Sequence, residues 1–129
     1  MSGPAASIAG LLLAGGQSRR MGGGDKCLRP LAGRPMLAHV IERARPQVRA
    51  LALNANGDPV RFADFGLPVI ADSVPGFAGP LAGILAGLDW AAATDCAYLA
   101  SFPTDAPFMP GDLVARLWGA LSAAGADLA

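Results

Sequence analysis

The sequence predicts an α/β fold in which a mostly parallel sheet is covered by helices on both faces. Segments typical of strands alternate with segments whose apolar residues recur at helical spacing, which indicates βαβ units with right-handed crossovers. The first strand segment, residues 8–13, is continuously apolar, as is typical of a parallel strand buried on both faces. A chain of 129 residues fits one domain, and we expect a single domain over residues 1–129.

The first half of the chain contains two strands and the helix that connects them. Residues 8–13 form the first predicted strand and lead directly into a glycine-rich loop. Pro35 stands where a first helical turn would begin, and apolar residues then recur at helical spacing until Pro46 ends the run. A second strand is predicted over residues 48–53, followed by a cluster of turn formers at 54–59.

The second half continues the same alternation. A third short strand is predicted over residues 67–71, followed after a loop by a helix from residue 81 to about residue 91. A fourth strand is predicted over 96–102 and a last helix over 110–123. Because residues 126–129 resemble the start of a fifth strand, we expect the sequence to stop partway through a domain, which is then truncated at its C-terminal side.

Charge and cysteine content exclude several functional classes. Ten acidic and ten basic side chains cancel, which argues against non-specific binding to nucleic acid or to anionic membranes. The apolar segment at residues 8–14 is too short for a membrane helix and lacks a basic flank for secretion, so we expect a cytoplasmic protein. Cys27 and Cys96 are expected to be free thiols. His39 lies at the edge of a helical apolar stripe and is predicted to be structural.

The glycine-rich loop after the first strand carries the strongest functional signal. Its glycines allow backbone N–H groups to approach phosphate oxygens, while Arg19, Arg20 and Lys26 supply positive charge. Lys26 is the single lysine of the chain. The loop does not match a Walker loop, because Asp25 precedes this lysine and Cys27 follows it. The combination predicts a binding site for the phosphates of a nucleotide.

Polar residues follow three later strands, where a parallel sheet collects them at one edge. Asn54, Asp72 and Asp105 each come directly after a predicted strand, and ligands of such sheets bind beyond the carboxyl ends. Asp105 lies between two prolines, which stiffen its backbone, and it is a candidate ligand for Mg²⁺ or a helix cap. Asp72 and Asn54 could equally be turn residues, and the sequence leaves these alternatives open.

Five motifs in order resemble those of the molybdenum cofactor guanylyltransferases, which join GMP from GTP to molybdopterin. The resemblance implies a Rossmann-like three-layer αβα nucleotidyltransferase fold that binds GTP and Mg²⁺. Members of the family have roughly 200 residues, within the usual range of a domain, so the acceptor-binding part is expected to be missing here. The matching segments are residues 13–26, 54–56, 72–73, 79–83 and 103–108.

The resemblance also assigns roles to individual residues. Catalytic roles would belong to Arg20, Lys26 and Asp105, of which Lys26 would contact the phosphates and Asp105 would bind Mg²⁺ together with the nucleotide. Asn54 and Asp72 would contact the nucleoside. The remaining binding residues would contribute backbone contacts and loop shape, and these are Leu13, Ala14, Gly15, Gly16, Gly79 and Gly83.

The reaction implied by the resemblance is an attack by the terminal phosphate of molybdopterin on the α-phosphorus of GTP, with pyrophosphate leaving. The Gly15-Gly16 pair favours GTP over CTP, because related cytidylyltransferases acting on the same pterin typically have Ala-Ala-Gly there. Two alternatives remain: a cytidylyltransferase acting on this cofactor and a non-catalytic nucleotide-binding fragment. Implied partners are GTP, molybdopterin or the molybdenum cofactor, molybdoenzymes and other proteins of cofactor biosynthesis.

Overall fold

A computed structural model of the chain describes residues 7–14, 26–73 and 81–125. These residues form six strands, three α-helices and three short 3-10 turns, the turns at Lys26–Leu28, Arg45–Gln47 and Pro59–Phe65. In chain order the strands and helices are β1 (Ile8–Leu13), β2 (Pro30–Leu31), β3 (Arg34–Pro35), α1 (Met36–Ala44), β4 (Ala50–Asn54), β5 (Val69–Ile70), α2 (Leu81–Ala93), β6 (Tyr98–Pro103) and α3 (Leu113–Ala124).

The main sheet confirms the predicted α/β class. Within the described ranges it has four strands in the order β5-β4-β1-β6, and each neighbouring pair is parallel. The chain moves outward from β1 through β4 to β5, and then returns to place β6 on the other side of β1. The strand order therefore reverses at β1, and such a switch point is where open α/β sheets form a ligand crevice.

Helices cover both faces of this sheet, so the predicted three layers are confirmed. Side chains alternate between the two faces along a strand. Ile8 and Leu12 of β1 belong to the larger core, which also contains side chains from α1 and α3. Leu11 lies on the opposite face of β1 from Ile8 and Leu12, and it faces α2. A Cβ added to Gly87 of α2 would lie 2.5 Å from Leu11 Cδ2. That glycine lets α2 approach the sheet closely.

Several observed bounds differ from the predicted ones. The second strand begins at Ala50 and extends to Asn54. The fourth begins at Tyr98 because Cys96 N donates to Ala91 O at 2.9 Å, which assigns Cys96 to the turn after α2. The third strand is reduced to Val69–Ile70. Residues 126–129, expected to start a fifth strand, lie outside the described residues.

The last helix begins at Leu113 and not at residue 110, and a buried glutamine explains the later start. Gln47 Nε2 donates to Pro110 O at 3.1 Å, and Gln47 Oε1 accepts from Val114 N at 2.9 Å. The glutamine thus satisfies an N–H in the first turn of α3 that has no partner within the helix. Gln47 lies in the turn that follows α1, and its Nε2 also donates to Arg43 O at 2.8 Å, so it connects the end of α1 to the start of α3.

The short hairpin of β2 and β3 was not predicted. Its turn residues, Ala32 and Gly33, have φ values of 52° and 81°, and two positive φ values are typical of a tight hairpin turn. His39 Nε2 contacts Leu31 O at 2.6 Å and Arg34 Nη2 contacts His39 Nδ1 at 3.2 Å. The histidine thus joins the hairpin to α1, which confirms its predicted structural role.

Candidate functional site

The carboxyl ends of the parallel strands meet at one edge of the sheet, referred to below as the carboxyl edge. Leu13, the last residue of β1, is in register with Asn54 on one side and with Pro103 on the other. Ala14 N then donates to Asn54 O at 2.9 Å, and Ala55 N donates to Ile70 O at 3.1 Å. The edge therefore brings together segments that lie up to 91 positions apart in the chain.

Asp72 is the centre of a hydrogen-bonded cluster on the β4–β5 side of this edge. Asn54 Nδ2 donates to Asp72 Oδ1 at 3.0 Å and to Ile70 O at 3.0 Å. Asn56 Nδ2 donates to Asp72 Oδ2 at 3.1 Å, and Asn56 Oδ1 accepts from Asp72 N at 2.9 Å. Both carboxylate oxygens and the backbone N–H of Asp72 are thereby bonded to asparagine amides.

Gly83 explains how α2 reaches this cluster. Asn54 is buried, with 3% of its surface exposed, and the first turn of α2 packs directly on it. A Cβ built on Gly83 would lie 2.3 Å from Asn54 Oδ1, a separation that two atoms cannot adopt without displacement. Glycine is therefore required at position 83 because the helix and the amide are in contact.

Thr104 connects β1 and β6 beyond their last register pair, and sequence reasoning missed it. Its buried hydroxyl donates from Oγ1 to Leu13 O at 3.0 Å. Pro103, the last residue of β6, has no N–H to donate, and the threonine side chain supplies a bond at the point where the strands separate. The only sequence signal is a hydroxyl residue between the end of a strand and the candidate ligand Asp105.

Asp105 follows this anchored threonine and differs from Asp72 in its surroundings. Its side chain is exposed and makes no hydrogen bond or ion pair with the residues that the structure describes. No group of three His, Cys, Asp or Glu able to hold a metal occurs in the described part of the chain. A single free carboxylate nevertheless fits Mg²⁺, which commonly takes one or two protein carboxylates and completes its shell with water and phosphate oxygens.

Lys26 lies on an anchored turn that precedes the β2–β3 hairpin. It opens the 3-10 turn at Lys26–Leu28, in which Cys27 is buried in the larger core. Met36 N donates to Arg29 O at 2.8 Å, which connects this turn to the start of α1. The Lys26 side chain is exposed and has no partner among residues 7–14, 26–73 and 81–125. The turn is thus held firmly while the ammonium group remains accessible.

The structure places some predicted site residues and leaves others outside its description. It brings Leu13, Ala14, Asn54, Asp72 and Asp105 to the carboxyl edge, and it places Gly83 against Asn54. Outside the described residues lie four predicted site residues, namely Gly15, Gly16, Arg20 and Gly79. Among the helices that are described, none is long and apolar enough to cross a membrane.

Comparison with known proteins adds independent information. Residues 10–129 match the family model described as "MobA-like NTP transferase domain". A protein of Bradyrhizobium sp. named molybdenum cofactor guanylyltransferase is 62% identical over 125 residues, which is 95% of this chain and 59% of that protein. A protein of the same name from Cupriavidus necator is 53% identical over 122 residues, 95% of this chain and 60% of that protein. The chain therefore spans about 60% of the length of these curated relatives.

Two solved structures share the fold. One is CMP:2-keto-3-deoxy-manno-octonic acid synthetase complexed with CTP, with a TM-score of 0.64, 20% identity, and coverage of 92% of this chain and 48% of that one. The other is molybdopterin-guanine dinucleotide biosynthesis protein A from Archaeoglobus fulgidus, with a TM-score of 0.62, 23% identity, and coverage of 91% and 57%. At these identities the likeness shows a shared fold alone.

Proposed function

The chain belongs to the MobA-like NTP transferase domain family, and from this premise we propose that it carries the GTP-binding part of a molybdenum cofactor guanylyltransferase. The proposed reaction transfers GMP from GTP to the terminal phosphate of molybdopterin, releases pyrophosphate and forms molybdopterin guanine dinucleotide. The names of relatives that are 53–62% identical support this assignment. The cytoplasmic location, and contacts with molybdoenzymes and other proteins of cofactor biosynthesis, are part of the same proposal.

The observation that carries the proposal is the division of the carboxyl edge into two kinds of surface. On one side, Asn54 and Asp72 form a bonded polar cluster suited to the hydroxyl and N–H groups of a nucleoside. On the other side, Asp105 offers a carboxylate with no partner among the described residues, and we expect Lys26, whose ammonium group likewise has none there, to face the same crevice. A nucleoside triphosphate with its metal ion requires both kinds of surface within one crevice.

In the proposed transfer, the protein mainly positions the reacting phosphates and neutralises their negative charge. The attacking phosphate of molybdopterin is already ionised, so the reaction needs no general base. Lys26, together with Arg20, would neutralise charge on the triphosphate as pyrophosphate leaves. Mg²⁺, when bound, would polarise the phosphate oxygens. Asp105 would hold that ion, and Thr104 would keep Asp105 at a fixed place relative to Leu13.

A second candidate function is a nucleotide-binding module that binds GTP without transfer to an acceptor. This candidate shares the GTP crevice and differs only in the absence of turnover. A cytidylyltransferase acting on the same cofactor differs in the base that is bound.

Titration calorimetry with GTP, CTP and ATP, each with and without Mg²⁺, tests the nucleotide assignment. We expect GTP to bind at least tenfold more tightly than CTP, and Mg²⁺ to strengthen that binding. Tighter binding of CTP would overturn the choice of base in favour of the cytidylyltransferase.

Pyrophosphate release on addition of molybdopterin tests transfer. Release with GTP supports the guanylyltransferase, whereas GTP binding without release supports the nucleotide-binding module. A chain that binds none of the three nucleotides contradicts all of these functions.

A further inference from the structure

Asn56 holds Asp72 through two hydrogen bonds that together close a ring. Its Nδ2 donates to Asp72 Oδ2 at 3.1 Å, and its Oδ1 accepts from Asp72 N at 2.9 Å. An amide that contacts both the side chain and the backbone of one residue restricts rotation about the side-chain bonds of that residue. The resemblance assigns Asn56 no role, although it lies in one of the matching motifs.

The second asparagine of this motif differs from the first in burial. Asn54 is buried, and its amide also bonds to Ile70 O, so its loss would disturb the packing of β4, β5 and α2. Asn56 is exposed and contacts Asp72 from the solvent side. The two residues therefore hold opposite oxygens of one carboxylate, but only Asn56 can be changed without opening the core.

Asn56 is itself held in place by the turn that follows it. Arg61 Nη2 donates to Asn56 O at 2.6 Å, and Arg61 Nη1 donates to Asp58 O. The Arg61 guanidinium also lies over the ring of Phe62, 4.4 Å from its centroid, and Phe62 is fully buried. The backbone of Asn56 is thus attached to the core through a side chain five residues away.

We propose that Asn56 is a positioning residue for nucleotide binding, which acts by fixing the carboxylate of Asp72 in one orientation before the nucleotide arrives. This inference rests on the proposed function and names Asp72 as the group through which Asn56 acts. Each Asp72 oxygen accepts one amide hydrogen and retains acceptor capacity for a ribose hydroxyl or a base N–H. A carboxylate that is already ordered loses less conformational entropy on binding, so affinity is higher.

The test measures the dissociation constant of Mg²⁺-GTP for the whole chain by calorimetry. We expect Asn56→Ala to weaken binding about tenfold, the effect of losing hydrogen bonds to a charged group. Asn56→Asp should weaken binding further, because it removes the donor and places a second carboxylate beside Asp72. An Asn56→Asp variant that binds as tightly as the wild type would overturn the proposal.

Asp58→Ala is the matched control. Asp58 lies in the same turn and its Oδ1 accepts from Val60 N at 3.0 Å, but its side chain makes no hydrogen bond to Asp72. We expect GTP affinity to be unchanged in this variant. A loss equal to that of Asn56→Ala would show that the stability of the turn matters and not the contact with Asp72, and would overturn the proposal.

A double-mutant cycle separates positioning from general damage. In an Asp72→Ala background the Asn56→Ala change should have no further effect on GTP affinity, because its target is gone. In turnover, Asn56→Ala should raise KM for GTP and leave kcat unchanged. Additive losses, or a fall in kcat alone, would overturn the inference and leave the proposed function intact. A wild-type chain that binds no GTP would overturn both.

Discussion

The two sides of the carboxyl edge satisfy their charged side chains in different ways. On the β4–β5 side, Asp72 is bonded by two asparagines whose own positions depend on α2 and on the following turn. On the β1–β6 side, Asp105 is exposed and has no partner in the described part of the chain. The Lys26 side chain, on its turn before β2, is likewise exposed and without a partner there. The protein's own hydrogen bonds thus order Asp72, whereas none among the described residues orders Asp105 or Lys26.

This difference separates stability from function. A buried, hydrogen-bonded group contributes to the free energy of unfolding, and its removal leaves partners unsatisfied. An exposed charge without a partner contributes little to folding and can be reserved for ligand binding. Substitutions of the buried Asn54 and of Gly83 beside it should therefore affect stability and binding together, whereas those of Lys26 and Asp105 should affect function alone.

The largest effect is expected for Lys26→Ala. The loss of a cation at the triphosphate should lower the rate of pyrophosphate release about 10²–10³-fold, with the melting temperature unchanged because the side chain is exposed. Arg116→Ala is the control, since Arg116 is an exposed cation on α3 that pairs with Asp112. Near-normal turnover in Lys26→Ala would contradict the proposed role of the lysine.

Asp105→Asn comes next in size. The change keeps the shape of the side chain but removes the charge that would hold Mg²⁺, so turnover should fall about a hundredfold. Calorimetry should show that Mg²⁺ no longer strengthens GTP binding. Asp64→Asn, an exposed carboxylate on the 3-10 turn at Pro59–Phe65, should behave as the wild type. An unchanged Mg²⁺ dependence in Asp105→Asn would argue that the metal is held elsewhere.

Gly83→Ala tests the β4–β5 side of the carboxyl edge through the packing of α2 against Asn54. The new Cβ would displace the buried Asn54 amide, and overpacking of this kind costs about 1–3 kcal/mol. Thermal unfolding should show the loss of stability, and GTP affinity should fall with it.

The matched control is Gly119→Ala in α3, where an added Cβ meets nothing within 4 Å. Greater helix propensity should stabilise that variant by about 0.5–1 kcal/mol. Equal behaviour of the two variants would contradict the close contact at Asn54.

Among the four substitutions predicted in this order, Thr104→Val should have the smallest effect. Valine keeps the shape of threonine but leaves Leu13 O without its hydroxyl donor, which costs about 1 kcal/mol. Chemical denaturation should detect this loss, and Thr104→Ser, which retains the hydroxyl, should recover most of it. If valine is as stable as threonine, the bond between the ends of β1 and β6 contributes nothing to folding.

The parts of the fold that follow from local patterns were predictable. The continuous apolar run of β1 and the alternation of strands and helices predicted the parallel sheet, and the structure confirms both. The hairpin of β2 and β3 was missed because Ala32-Gly33 is a weak turn signal and each strand has two residues. The start of α3 was misplaced because its first turn is capped by Gln47, a residue 67 positions away from Val114.

The candidate site, like the fold, was predictable from the sequence only in part. Asn54, Asp72 and Asp105 could be chosen because each follows a strand, and the resemblance added Lys26 and the glycines. Thr104 and the role of Asn56 could not be found, since their hydrogen bonds join residues 91 and 16 positions apart. No local pattern records such a pairing.

The sequence by itself determined the fold class and the edge at which the polar residues meet, because parallel strands all end on one side of their sheet. Only the tertiary structure decided which of those residues bond to one another and which stay open. Hydrogen bonds require donor and acceptor to approach within about 3 Å, and that placement depends on how β4, β5 and α2 pack. The bonded Asp72 and the open Asp105 are alike in sequence, each an aspartate after a strand, and packing alone makes them different.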